Sequence, residues 1–85
     1  MTVKNAGLKK LTEEIRSMIA EIAEVEENEI AGEKNFVEDL GFDSMMALEI
    51  FAKLEKQYKI RIPEEELPRL SNLNQTVNLV DRYIH

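Results

Sequence analysis

The chain has no cysteine and no tryptophan, and only one histidine, two prolines and three glycines. Without cysteine, disulfides, thiolate metal ligands and a cysteine nucleophile are excluded together, so any thiol chemistry must come from a cofactor. The only histidine is the terminal His85, which leaves little for general base chemistry. Positive charge is also in deficit: 11 Lys and Arg face 17 Asp and Glu, a formal charge of −6. An acidic surface repels phosphate backbones, which argues against nucleic acid and in favour of basic protein partners. Long apolar runs are absent where a bilayer span needs roughly 20 such residues, so no membrane span is expected. MTVKNAGLKK at the N-terminus carries no apolar signal region, and a cytoplasmic or compartment-matrix protein is expected.

What is present fits one domain, residues 1–85, with 44% apolar and 33% charged residues. A chain of this length buries about 60 to 65% of its unfolded surface around one modest core. Leu8, Leu11, Ile15, Met18, Ile22 and Val25 recur at spacings of three and four with charges between them, predicting an amphipathic helix at about 6 to 24. Asn5 could cap it, and Gly7 weakens its first turn. From Glu26 to Asp43 no period holds, but Ile30, Phe36, Val37, Leu40 and Phe42 read as anchors that pin a long loop to the core. A second helix is expected from Ser44 to about Tyr58. On a helical wheel its core side is Ala47, Ile50, Phe51, Leu54 and Tyr58. A second side is Ser44, Met45, Leu48, Ala52 and Glu55, and the remainder is Met46, Glu49, Lys53, Lys56 and Gln57.

KIRIP reads as a short extended link. Pro63 followed by three glutamates opens a short helix well, and Pro68 should allow it little more than one turn. Ser71 or Asn72 then caps a last helix whose Leu73, Val77, Val80 and Ile84 face inward. The expected fold is all-α: a small four-helix bundle of three main helices and one short third helix, with a long loop between the first two.

The chemistry concentrates in GFDSMMALEI, residues 41–50. Asp43 and Ser44 are both ordinary N-cap residues, so locally Ser44 reads as a cap or as a chemical handle. A nucleophilic serine usually needs a base at hand, yet there is no G-x-S-x-G elbow and the only histidine is His85, so a hydrolase triad is not expected. A serine at a helix start can carry a phosphate ester, because free backbone N–H groups and the helix dipole stabilise the anion. The acidic run Glu24, Glu26, Glu27 and Glu29 lacks calcium-loop spacing and reads as a solvated loop, and no metal site is expected. Tyr58 and Tyr83 occupy apolar helix positions and read as core.

FVEDLGFDSMMALEIFAKLEKQYKIRIPEEEL resembles the central stretch of an acyl carrier protein, and the similarity extends over nearly the whole chain. Its most specific pieces are Phe36 to Gly41, Asp43-Ser44 with the helix that follows, and Ile62-Pro63-Glu64. The resemblance implies that Ser44 receives 4′-phosphopantetheine from coenzyme A in a Mg²⁺-dependent transfer by a separate phosphopantetheinyl transferase (holo-carrier synthase), recognised through Asp43. It implies an arm whose thiol bears acyl groups as thioesters for fatty acid, lipid or polyketide synthesis. Acyl-loading and acyl-processing enzymes are then the partners, the chain is a carrier and not an enzyme, and a monomer is expected. The partner surface would be Met45, Met46, Leu48, Glu49, Ala52 and Glu55. The sequence departs from the family where Met45 replaces the usual leucine, where Met46 replaces a frequent acid, and where Lys53 and Lys56 dilute the negative charge of the second helix. A carrier of aminoacyl or peptidyl groups shares the fold and the serine, and an unmodified helical interaction module is the reading from a different class.

Overall fold

The first helix, α1 (Val3–Ala23), opens the computed structural model, which describes residues 3–84 and their side chains from residue 7. It begins three residues earlier than expected and contains Asn5, so Gly7 weakens the first turn without ending it. Its buried side chains are Leu11, Ile15 and Met18 as expected, joined by Ile19 and Ala20, while Leu8, Ile22 and, just past its end, Val25 pack at the edge. The arc is wider than one stripe because α1 lies against both other long helices, α2 (Ser44–Tyr58) and α3 (Leu73–Ile84).

Both α1 and α2 stop on a left-handed residue that is not glycine, Glu24 at φ 59° and Lys59 at φ 55°. In each case the next amide reaches back over the last turn: Val25 N–H to the Ala20 carbonyl at 3.0 Å, and Ile60 N–H to the Glu55 carbonyl at 3.1 Å. A side chain in this region costs roughly 1 to 2 kcal/mol, whereas glycine is accommodated without clash but is freer when unfolded. Lys59→Gly is therefore expected to stabilise the protein by about 0.5 to 1 kcal/mol, read as a higher urea midpoint. A lower midpoint would show that the Lys59 side chain contributes more than its backbone strain costs.

The long loop is pinned at several points. Ile30 is fully buried, and its carbonyl accepts from Arg16 Nε at 3.1 Å. The Gly32 carbonyl accepts from Asn74 N–H at 3.0 Å, and Phe36 N–H donates to the Ser71 carbonyl at 2.8 Å, so the loop is strapped to the start of α3. Phe36 and Phe42 are buried and stack with centroids 5.1 Å apart. The other two anchors differ from expectation: Leu40 is half-buried and Val37 is 63% exposed. The reason is a tight turn between them. Asn35 Oδ1 accepts from the Val37 and Glu38 amides at 3.0 and 2.9 Å, and the Asn35 carbonyl accepts from Asp39 and Leu40. Successive side chains on such a turn point in different directions, so Phe36 turns inward while Val37 meets water. Gly41, at φ 72°, then reverses the chain and returns Phe42 to the core.

The acidic run forms a single 3-10 turn, Glu27–Glu29, in which the Glu29 carboxylate accepts from Glu26 N–H at 3.1 Å. Among the described residues no group of His, Asp or Glu side chains is arranged to hold a metal ion.

After α2, the Glu55 carboxylate accepts from Ile62 N–H at 2.8 Å and holds the extended link with Ile62 buried. The short third helix is a 3-10 helix, Glu64–Arg69, and it continues through Pro68 instead of stopping there. In a 3-10 helix proline removes one hydrogen bond but avoids the i−4 carbonyl clash that would break an α-helix. Glu66 ties this segment to α3, accepting from Arg69 Nε and Tyr83 Oη, both at 2.8 Å, with Arg82 at 3.8 Å.

Asn72 is the cap of α3: its Oδ1 accepts from Gln75 N–H at 2.8 Å. Leu73, Val77 and Val80 are buried as expected, with Leu79 and Thr76 beside them, but Ile84, the last residue of α3, is 41% exposed. Thr76 is fully buried without an unmet donor, since its hydroxyl donates to the Asn72 carbonyl at 2.8 Å.

The two tyrosines are half-buried and not fully in the core, each with its ring on apolar neighbours and its hydroxyl on a glutamate. Tyr58 Oη donates to Glu14 at 2.9 Å, linking α2 to α1. Burial first, and then this hydrogen bond, raise the Tyr58 phenol above its ordinary value of 10.0. Because the folded state holds the neutral phenol, the stabilisation is complete below about pH 10 and is lost as pH rises beyond it. At pH 7, Tyr58→Phe should cost roughly 1 kcal/mol, and this gap should shrink between about pH 10 and 12 in parallel denaturant titrations. A gap that stays constant over that range would mean that the phenol does not titrate against the fold.

Candidate functional site

The straps on Phe36 and the Phe36–Phe42 stack fix where the loop hands over to α2. Phe42 N–H donates to the Phe36 carbonyl at 2.8 Å, so the residue before Asp43 is held by both side chain and backbone. Asp43 follows in extended backbone, φ −102° and ψ 178°. Its Oδ1 accepts from Met46 N–H at 2.9 Å, and its carbonyl accepts from Ala47 N–H at 3.1 Å.

The cap of α2 is thus Asp43, and Ser44 is the first residue inside the helix and exposed. Of the two local readings of the D-S pair, the structure gives the capping role to the aspartate and leaves the serine hydroxyl out of it. The Ser44 and Met45 amides come before the first intrahelical bond, whereas those of Met46 and Ala47 are taken by Asp43. An anion esterified to Ser44 would lie at these amides and at the positive end of the helix dipole, so the residues present suit a phosphodiester there.

Beyond Ser44, the N-terminal half of α2 shows Met45 at 68% and Leu48 at 50% exposure, with Glu49 and Ala52 also exposed. Two of the expected surface residues are placed differently. Met46 is half-buried against the core, and Glu55 is half-buried with its carboxylate on Ile62 N–H. Ile50, Phe51 and Leu54 are buried on the opposite side, while Ala47 and Tyr58, expected in the core, are only half-buried. Lys53, Lys56 and Gln57 are exposed.

A groove of about 570 Å³, open to solvent, runs between α1 and α2 and is lined by Glu13, Glu14, Met18, Lys53 and Gln57 among others. None of its lining residues belongs to the first two turns of α2. Ser44 stands on open surface, the Asp43 carboxylate beside it is engaged as the cap, and His85 lies outside the described residues. Such a site can receive a group and display it. The sequence missed the division of labour between Asp43 and Ser44, because either side chain can cap an amide three residues on and only the hydrogen bond from Met46 N–H distinguishes them.

An all-helical bundle that displays a serine on the exposed start of one helix has the frame of a carrier domain. Residues 13–80 match the family model described as a phosphopantetheine attachment site. The chain is also 38% identical over 68 residues to polyketide-8 synthase acyl carrier protein 2 of Streptomyces avermitilis, covering 80% of this chain and 78% of that protein. The chain belongs to the acyl carrier protein family, whose cofactor is covalent 4′-phosphopantetheine. Among the described residues no helix is long and apolar enough to cross a membrane.

Proposed function

We propose that Ser44 is the point of attachment of the 4′-phosphopantetheine arm and that the loaded chain carries acyl intermediates of polyketide or fatty acid assembly between separate enzymes in the cytoplasm. The observation that carries this reading is the exposed Ser44 hydroxyl at the first position of α2, freed from capping by Asp43. In the loading step Ser44 Oγ attacks the β-phosphorus of coenzyme A. One P–O bond forms to the serine, the pyrophosphate P–O bond breaks, and 3′,5′-ADP leaves with its electron pair. The hydroxyl proton passes to a base on the transferase, which also supplies the Mg²⁺. Once attached, the arm provides a thiol for thioester formation, a chemistry this cysteine-free chain has no other means of supplying.

Asp43 acts as a positioning residue: it fixes the first turn of α2 and so the direction in which Ser44 projects. Met45, Leu48, Glu49 and Ala52 form the surface that partner enzymes cover, with Met46 and Glu55 contributing from half-buried positions at its edges. Polyketide chemistry is favoured over an aminoacyl or peptidyl cargo by the name of the relative that matches four-fifths of the chain. The test is intact mass after incubation with coenzyme A, Mg²⁺ and a broad-specificity phosphopantetheinyl transferase. Gain of one phosphopantetheine group is expected. No gain, with a standard carrier loaded in parallel, would leave a helical interaction module as the better description.

A further inference from the structure

Charge on this chain is segregated. Residues 53–61, KLEKQYKIR, hold four cations and one anion, a local charge of +3, which leaves −9 on the remainder of a chain whose total is −6. Lys53, Lys56 and Arg61 are exposed, and the side chains are contiguous: Lys53 and Lys56 border one shallow hollow, and Lys56 and Arg61 border the next, beside Ala52 and Ile60. Glu55, the single anion of the segment, lies in the same hollow but is half-buried with its carboxylate on Ile62 N–H. Lys53 also borders the groove with Glu14 and Glu21 of α1, yet among the described residues no ion pair joins them, nor any acid to Lys56 or Arg61.

Met45, Leu48, Ala52 and Lys56 succeed one another at spacings of three and four, so they share one face of α2. From Leu48 to Lys56 is about 12 Å along the axis at about 1.5 Å per residue. A standard interface covers about 800 Å² per partner, a patch about 30 Å across. An enzyme centred near Leu48 to reach the Ser44 arm therefore also faces Lys56 and its basic neighbours.

Resting on the reading of Ser44 as the arm's attachment point, we propose that the cognate acyl-processing enzyme docks on α2 through an apolar centre over Met45 and Leu48 and an acidic rim against Lys53, Lys56 and Arg61. The charge polarity of this half of the interface is reversed relative to the rest of the chain. An enzyme with a uniformly basic docking surface is repelled at the C-terminal half of α2, so the strip selects partners as well as binding them.

The probes are two 15-residue amphipathic helical peptides with the same leucine stripe, one carrying glutamate at all other positions and one carrying lysine. They are titrated into the isotopically labelled full chain, both phosphopantetheine-loaded and as Ser44→Ala, with amide shifts as the readout. The acidic peptide is expected to shift Leu48, Ala52, Lys56 and Arg61, with binding weakened several-fold between 50 and 300 mM salt. The triple variant Lys53→Glu, Lys56→Glu and Arg61→Glu should weaken it at least tenfold. The milder pair Lys56→Gln and Arg61→Gln, which keeps the fold free of new charge, should give an intermediate loss. The proposal is overturned if the lysine peptide shifts the same residues with equal or greater affinity, if the variants bind the acidic peptide within twofold of wild type, or if that peptide does not bind. It is equally overturned if sedimentation shows that the strip is covered by a second copy of the chain. Failure of the wild type to gain its arm would count against Ser44 alone, since the Ser44→Ala arm of the titration reports on docking independently.

Discussion

Ser44→Ala is expected to remain at its unmodified mass under conditions that load the wild type completely. The effect is all-or-none because no other described serine is placed equivalently. Ser17 lies mid-helix in α1, where its neighbouring amides are already bonded within the helix, and Ser71 is half-buried at the loop strap with its carbonyl on Phe36 N–H. Among the described serines only Ser44 combines exposure with the unpaired amides of a helix start. The substitution should leave the fold intact. Since the cap belongs to Asp43, removing the Ser44 hydroxyl should change stability by no more than about 0.5 kcal/mol, as at other surface sites. Asp43→Ala, by contrast, should cost about 0.5 to 2 kcal/mol. Intact mass and urea midpoints on both variants check this. A phosphopantetheine mass on Ser44→Ala would refute the attachment site, and a midpoint lowered as far as that of Asp43→Ala would refute the assignment of the cap.

The parts of this molecule that follow from periodicity were legible in the sequence. The all-helical class, the span of α2 from Ser44 to Tyr58, and the long loop all follow from where apolar spacing of three and four holds and where it fails. What depends on a partner across the fold was not legible. Ile19 and Ala20 are buried because α1 contacts two helices, a fact of packing that no one-dimensional stripe contains. Ile84 keeps the spacing of α3 but, as its last residue, is 41% exposed. Met46 lies between the faces of α2 and packs half-buried against the core. A variant Met46→Glu, attractive on sequence grounds as a way of restoring a family acid, would press a charge against the core and confound any reading of partner choice. For the site, the D-S pair identified the place, while the choice of which residue caps rested on geometry at the scale of a single hydrogen bond.

Phe36→Ala is expected to be the most destabilising of the substitutions considered. Phe36 is 3% exposed, stacks on Phe42 at 5.1 Å, and stands where the loop is strapped to Ser71. Truncating a buried phenylalanine commonly costs about 3 to 5 kcal/mol, the lost transfer energy plus the cavity left behind. Against a total of about 5 to 15 kcal/mol this removes a large share of the stability. With a urea slope of about 1 to 3 kcal/mol/M, the midpoint should fall by at least about 1 M. Val37→Ala is the control, because the adjacent side chain is 63% exposed and its loss should be within about 0.5 kcal/mol. The pair separates an anchored loop from one that is merely apolar. The consequence reaches the site, since Phe42 leads directly into Asp43, and a cavity at Phe36 removes the surface on which Phe42 rests. At urea concentrations where Phe36→Ala is still mostly folded, amide exchange should be faster at Asp43 to Met46 than in wild type, with the α1 core much less affected. Equal midpoints for Phe36→Ala and Val37→Ala would mean that the loop does not hold the start of α2, and the position of Ser44 would then have to be fixed by the helix alone.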